Sequence, residues 1–75
     1  MSSTELSNLI KMANQIADNI AIGDNQEVMA VKVAEHIRSF WARSMKDKII
    51  DYAIHDGKQL NTVARIAILT EVIRS

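Results

Sequence analysis

Seventy-five residues contain no proline and only two glycines, Gly23 and Gly57. Proline and glycine are the strongest local breakers of regular structure, so this chain has very few places where a helix is forced to stop. Between those places, apolar residues recur at helical spacing. Leu6, Leu9, Ile10, Ala13, Ile16, Ala17 and Ile20 fall three or four positions apart and share one face. Met29, Ala30, Val33, Ala34, Ile37, Phe40 and Trp41 form a second, broader arc. No alternating pattern of the β type competes. The expected fold is all-α, a small bundle of about four short helices in one domain spanning 1–75, with helices over 3–22, 25–42, 44–56 and 61–74.

Capping chemistry sets those limits. Ser2 or Ser3 can cap the first helix, with Glu5 three residues beyond Ser2. Gly23 closes it, because glycine takes the left-handed conformation after a helix at little cost. Asp24-x-x-Glu27 opens the second helix, Ser44-x-x-Asp47 the third, and Asn61 the fourth, while Gly57 stops the third. Ile16, Val33 and Ile37 lie at the centres of their arcs and are expected to be buried. The last helix is apolar nearly all round: Val63, Ile66, Leu69 and Ile73 make one face, and Ala64, Ile68 and Val72 another. Two readings of it stay open. Either the other three helices wrap it, or its second face packs on a partner or a second copy of the chain.

Nine basic residues balance nine acidic ones, with no run of either sign. A nucleic-acid binder carries a basic footprint, so this balance argues against one. The DNA-binding alternative would rest on Arg38, Arg43, Lys46 and Lys48, which Glu35, Asp47 and Asp51 offset. No apolar stretch reaches transmembrane length. The polar start, Met1-Ser2-Ser3-Thr4-Glu5, lacks the basic opening of a signal peptide. The expected location is the cytoplasm.

Residues for chemistry are sparse. The chain has no cysteine and two histidines, His36 and His55, without companions at metal-ligand spacing. Its serines cluster at termini and caps, and its two glycines are too isolated to cradle a phosphate. Neither a catalytic site nor a metal or cofactor site is expected.

Four features suit recognition instead. The only Phe and the only Trp are adjacent, Phe40-Trp41, and flanked by Arg38 and Arg43. Neighbouring helix positions diverge by about 100°, so the two rings cannot share the centre of one stripe. Trp and Arg are enriched at interface hot spots, although a small domain's one Trp is commonly its core. His36 lies at the edge of its arc, as either a boundary residue or a hydrogen-bond donor to a partner. Asn14 and Gln15 sit mid-helix, at the border of the apolar face and opposite it. They are either boundary and solvated residues or a pair of neutral amides addressing a partner's backbone.

Around these residues the chain resembles a known family. Lys11-Met12-Ala13-Asn14-Gln15-Ile16-Ala17, followed by Val33-Ala34-Glu35-His36-Ile37-Arg38-Ser39-Phe40-Trp41 and Met45, resembles the delta subunit of NAD-dependent formate dehydrogenases. That family reads as a basic residue before Met-Ala-Asn-Gln-Ile, then Ala-x-His-Leu/Ile-Arg-x-Phe-Trp, often continued by Asp-Pro-Arg-Met. Here the continuation is Ala42-Arg43-Ser44-Met45, which leaves open how sharply the second helix ends. The resemblance implies a non-catalytic accessory subunit of a soluble molybdenum- or tungsten-dependent complex that oxidises formate and reduces NAD. It implies support of assembly, cofactor loading or stability, with pterin-bound metal, iron–sulfur clusters, flavin and NAD on other subunits. The expected contacts with the large catalytic subunit are Asn14, Gln15, His36, Arg38 and one of Phe40 and Trp41. A homodimer through the C-terminal helix is compatible with that reading. The alternatives are a small DNA-binding or regulatory domain and a stand-alone homodimeric module.

Overall fold

A computed structural model describes residues 2–20, 23 and 25–74. Four helices follow one another: α1 (Ser2–Ile20), α2 (Gln26–Phe40), α3 (Arg43–His55) and α4 (Thr62–Thr70). A single 3-10 turn, Val72–Arg74, follows α4. No strand occurs among the described residues. The protein is a small all-α bundle.

Helix limits follow from the residues at the joints. Asn25 caps α2: its side chain accepts a hydrogen bond from the Val28 N–H at 2.9 Å. Asn61 caps α4 in the same way, accepting from the Ala64 N–H at 2.9 Å. The side chains of Ser2 and Ser3, on which their expected capping roles depend, are not described, and Asp24 and any extension of α1 over residues 21 and 22 lie outside the described residues. Ser44 does not cap α3. That place belongs to Ala42, which has no side chain able to accept a hydrogen bond. The two glycines both adopt positive φ, +95° at Gly23 and +72° at Gly57. Gly57 is also short of space, since an added Cβ would lie 3.1 Å from the Ala53 carbonyl oxygen and 3.2 Å from Arg65 Cδ.

The α2–α3 joint has neither glycine nor proline. Trp41 and Ala42 are both extended, at φ −91°, ψ 139° and φ −65°, ψ 156°. Trp41 still donates its N–H to the Ile37 carbonyl at 2.9 Å, closing α2. Extension at Trp41 turns its indole into the core, where it is 6% exposed, while Phe40, the last helical residue, is 74% exposed. The pair diverges because one residue is helical and the next is not. α2 therefore ends two residues short of the expected limit.

Ile37, Ile49, Ile68, Val33 and Val72 are the largest fully buried side chains. Burial of Val33 and Ile37 agrees with their central positions. Ile16 is only half-buried, against expectation, because it packs on the core from one side and faces a groove on the other. α4 touches all three other helices, α2 most extensively. Its Ala64, Ala67 and Ile68 are fully buried, while Val63, Ile66 and Leu69 are half-covered. The wrapped arrangement thus accounts for one face of α4 fully and the other in part. It also ends sooner than expected, at Thr70, whose hydroxyl donates back to the Ile66 carbonyl at 2.6 Å. Such back-bonding loosens a helix end, and the chain tightens into the 3-10 turn.

Candidate functional site

A groove of about 470 Å³ runs where α1, the end of α2 and the start of α3 meet. Its first flank is α1. Met12, Ile16 and Ile20 succeed one another at four-residue spacing, and Gln15 and Asn19 run beside them at the same spacing. Residues four apart stack on one helical face, so the aliphatic row and the amide row lie side by side. The second flank is α2, where His36 and Phe40 repeat that spacing. Their ring centroids are 4.7 Å apart, with the planes tilted by 40°. Trp41 and Met45 complete the lining.

None of these nine lining residues is Asp, Glu, Lys or Arg, although charged residues make up 24% of the chain. Met12 is 38% exposed and Ile20 37%, so the wall is an open apolar surface and not a sealed cavity. Of the residues expected to meet a partner, Gln15, His36, Phe40 and Trp41 come together here. Met12, Ile16, Asn19, Ile20 and Met45 line it as well and are not among the residues expected to meet a partner. For Met12, Ile16 and Ile20 the signal is the i, i+4 continuation, which reads equally well as core, whereas Asn19 and Met45 carry none in the sequence.

Asn14 turns the other way. Its Nδ2 donates to the Gln59 carbonyl at 2.8 Å, and its Oδ1 accepts from the Asn61 N–H at 2.8 Å. Asn61 Nδ2 in turn donates to the Asn14 carbonyl and to Asp18 Oδ1, each at 3.3 Å. The Gln59 N–H donates to the Tyr52 hydroxyl at 2.9 Å. Asn14 therefore fastens the α3–α4 connection to α1, at the residue that caps α4. Arg38 also lies away from the groove, 200° from His36 on the helical wheel by about 100° per residue. Its Nη1 donates to the Glu71 carbonyl at 3.5 Å and stands 3.9 Å from Glu71 Oε1.

A second depression of about 520 Å³, between α1 and Tyr52, is lined by Thr4, Ser7, Asn8 and Gln59 among others. It collects none of the six residues singled out in the sequence. Two of the four cations on which a DNA-binding reading relies have acidic neighbours, Lys48 with Glu5 and Arg38 with Glu71. His55 is an exposed partner of Asp51, one turn earlier. Among the described residues, no three of His, Cys, Asp and Glu cluster to hold a metal ion. No described helix is long and apolar enough to cross a membrane.

A family model described as the NADH-dependent formate dehydrogenase delta subunit, FdsD, matches residues 8–68. The match takes in both motifs and every lining residue of the groove. No curated protein and no solved structure matches the chain.

Proposed function

The chain belongs to the delta-subunit family of NADH-dependent formate dehydrogenases, and from that premise we propose a non-catalytic accessory subunit that docks on the large catalytic subunit. Its work is support of assembly, cofactor loading or stability of a cytoplasmic complex. The observation that carries this reading is the groove. Residues of both family motifs, Gln15 from one and His36, Phe40 and Trp41 from the other, line one uncharged surface. Asn14 and Arg38 serve the same end indirectly, by holding the scaffold that presents it.

The chain's residues do not suit the redox groups of such a complex. An iron–sulfur cluster needs thiolates, and the sequence has no cysteine. A pterin phosphate or a nucleotide needs a cradle of backbone N–H groups or basic side chains, and the groove holds neither Lys nor Arg. Those groups are assigned to the other subunits.

Binding alone is enough to stabilise the catalytic subunit. A partner that binds only the folded state adds RT ln(1 + [L]/Kd), about 2.7 kcal/mol when free partner stands at 100 times Kd. Covering an apolar patch on the large subunit would also suppress its aggregation before its cofactors are in place. Self-association through the C-terminal helix remains a second proposal. It is supported by the half-covered row Val63, Ile66 and Leu69 and by Ile73, which is 42% exposed.

The test is co-expression of the catalytic subunits with and without this chain. The chain is expected to co-purify with the large subunit, and its omission to lower formate-dependent NAD reduction or the melting temperature of the enzyme. An enzyme of equal yield, activity and melting temperature without the chain, and no co-purification with it, would overturn the proposal.

A further inference from the structure

We infer that the Asp56–Gly57 peptide is a site of spontaneous aspartate isomerisation, at which the main chain reroutes through the Asp56 side chain and loosens the attachment of α4 to α1. The step needs no partner and stands apart from the docking role. The Gly57 nitrogen attacks Asp56 Cγ and closes a five-membered succinimide. One carboxyl oxygen leaves as water, taking the carboxyl proton and the amide proton with it. Water then reopens the ring. Cleavage of the new N–Cγ bond restores aspartate, whereas cleavage of the original peptide bond leaves isoaspartate, with the chain running through Cβ. No oxidant, reductant or co-reactant besides water enters, and the mass and formal charge of the chain are unchanged.

Of the five aspartates, Asp18, Asp24, Asp47, Asp51 and Asp56, only Asp56 precedes glycine. Glycine presents no Cβ to the incoming carboxyl carbon. Asp18, Asp47 and Asp51 lie within helices, where the following N–H belongs to the hydrogen-bond ladder. The Gly57 N–H donates to no described group, so no hydrogen bond has to break.

Backbone geometry favours closure. A flat ring needs Cβ and the next nitrogen eclipsed about the Cα–C bond. Cβ stands about 120° from the residue's own nitrogen around that bond, so ψ must approach about −120°. Asp56, just past α3, has φ −139° and ψ −75°, which leaves about 45° of rotation. A helical residue, with ψ near −42°, is about 80° away. The exposed Asp56 carboxyl is already folded along the chain, its Oδ1 accepting from the Lys58 N–H at 3.2 Å. That donor draws electron density from Cγ, the atom attacked. With nucleophile and carbonyl carbon on one short tether, encounter is reduced to rotation.

The product does not fit the connection. Gly57 is buried, and even a Cβ there would lie 3.1 Å from the Ala53 carbonyl oxygen. The chain is tied on both sides of it, by the Asp56 N–H to the Tyr52 carbonyl at 2.9 Å and by the Leu60 N–H to the Gly57 carbonyl at 3.2 Å. An extra main-chain methylene between those ties displaces Gln59 and Asn61 from Asn14 and Tyr52. Asn61 is also the cap of α4.

The experiment ages the purified full-length chain at neutral pH and physiological temperature, with circular dichroism confirming that it stays folded. An isoaspartate-specific carboxyl methyltransferase with labelled S-adenosylmethionine measures the total product. Peptide mapping by electron-transfer fragmentation, which distinguishes the two isomers, locates it. Asp56→Glu is the control, because its ring would need six members. Isoaspartate at position 56 should accumulate at least about tenfold faster than at any of the other four aspartates. Asp56→Glu should remove most of the methyl-accepting signal. The isomerised fraction, separated by chromatography, should melt about 5 °C or more below the unaged chain. A folded chain that forms no isoaspartate at position 56, or forms it equally at all five aspartates, would overturn the inference. So would an isomerised form that melts like the unaged chain.

Discussion

Asn14 and Gln15 are neighbours of the same chemical kind with opposite duties. Both ends of the Asn14 amide are bonded within the chain, to groups 45 and 47 residues away, whereas Gln15 faces the open groove. Asn14→Ala removes the hydrogen bonds to the Asn61 N–H and the Gln59 carbonyl, both within reach of water, at a cost of about 1–2 kcal/mol for the pair. For a domain of this size each kcal/mol lowers the melting temperature by about 4–8 °C. Gln15→Ala should leave the melt nearly unchanged and weaken co-purification with the catalytic subunit. Thermal melts by circular dichroism, read beside the pull-down, check both halves. The sequence sets Asn14 at the border of the apolar face and Gln15 opposite it, but it could not separate their roles. The partners of Asn14 are remote, and helical periodicity carries no information about which distant loop a side chain meets. Phe40 and Trp41 were separable in direction but not in destination. That needed the change from helical to extended backbone at Trp41, which no glycine or proline announces.

The same joint explains a departure from the family pattern. The family often has Asp-Pro where this chain has Ala42-Arg43. In this fold Ala42 is the residue before the first turn of α3, and Arg43 is the first helical residue. Asp is a preferred cap and proline is favoured at the first helical position, so the family's pair is a helix-start signal. Here the break persists without it, because the buried indole of Trp41 holds the chain in place. Ala42→Asp should supply the missing acceptor and raise stability by about 0.5–2 kcal/mol, measurable as a higher melting temperature. Core positions grade in the same way. Ile37→Ala should cost about 2–5 kcal/mol. Ile16→Ala should cost less, about 1–2 kcal/mol, because part of that side chain already faces water. Equal losses in denaturant titrations would contradict the difference in their burial. Periodicity located all four helices and both buried centres of α2. It overrated Ile16, since the middle of an apolar arc marks the core only if every side of the arc is covered.

For the molecule as a whole, small size and the exposed groove are related. A single core in so short a chain supplies only about 3–5 kcal/mol, and an apolar surface left open contributes nothing to it until a partner arrives. The melting temperature of the chain should therefore rise when it is mixed with the catalytic subunit, and more so as the concentration of that subunit increases. A melt independent of partner concentration would contradict docking. Balanced charge, absent cysteine and a high apolar content in the sequence point toward the same proposal. What composition could not locate was the surface, since its nine residues are drawn from three helices and the α2–α3 joint and become neighbours only on folding.

The Asn14 clasp also carries a kinetic consequence. A helical bundle draws most of its early order from contacts that are close in sequence, whereas this clasp joins α1 to a connection near the far end of the chain. Its hydrogen bonds need α1, the Asn61 turn and α4 already docked, so they form on the native side of the folding barrier. Removing them should leave the refolding limb of the chevron in place and lift the unfolding limb. For a loss of one to two kcal/mol, that means unfolding about 5–30 times faster. Asn14 is then expected to set how long the bundle stays closed, through the unfolding rate alone.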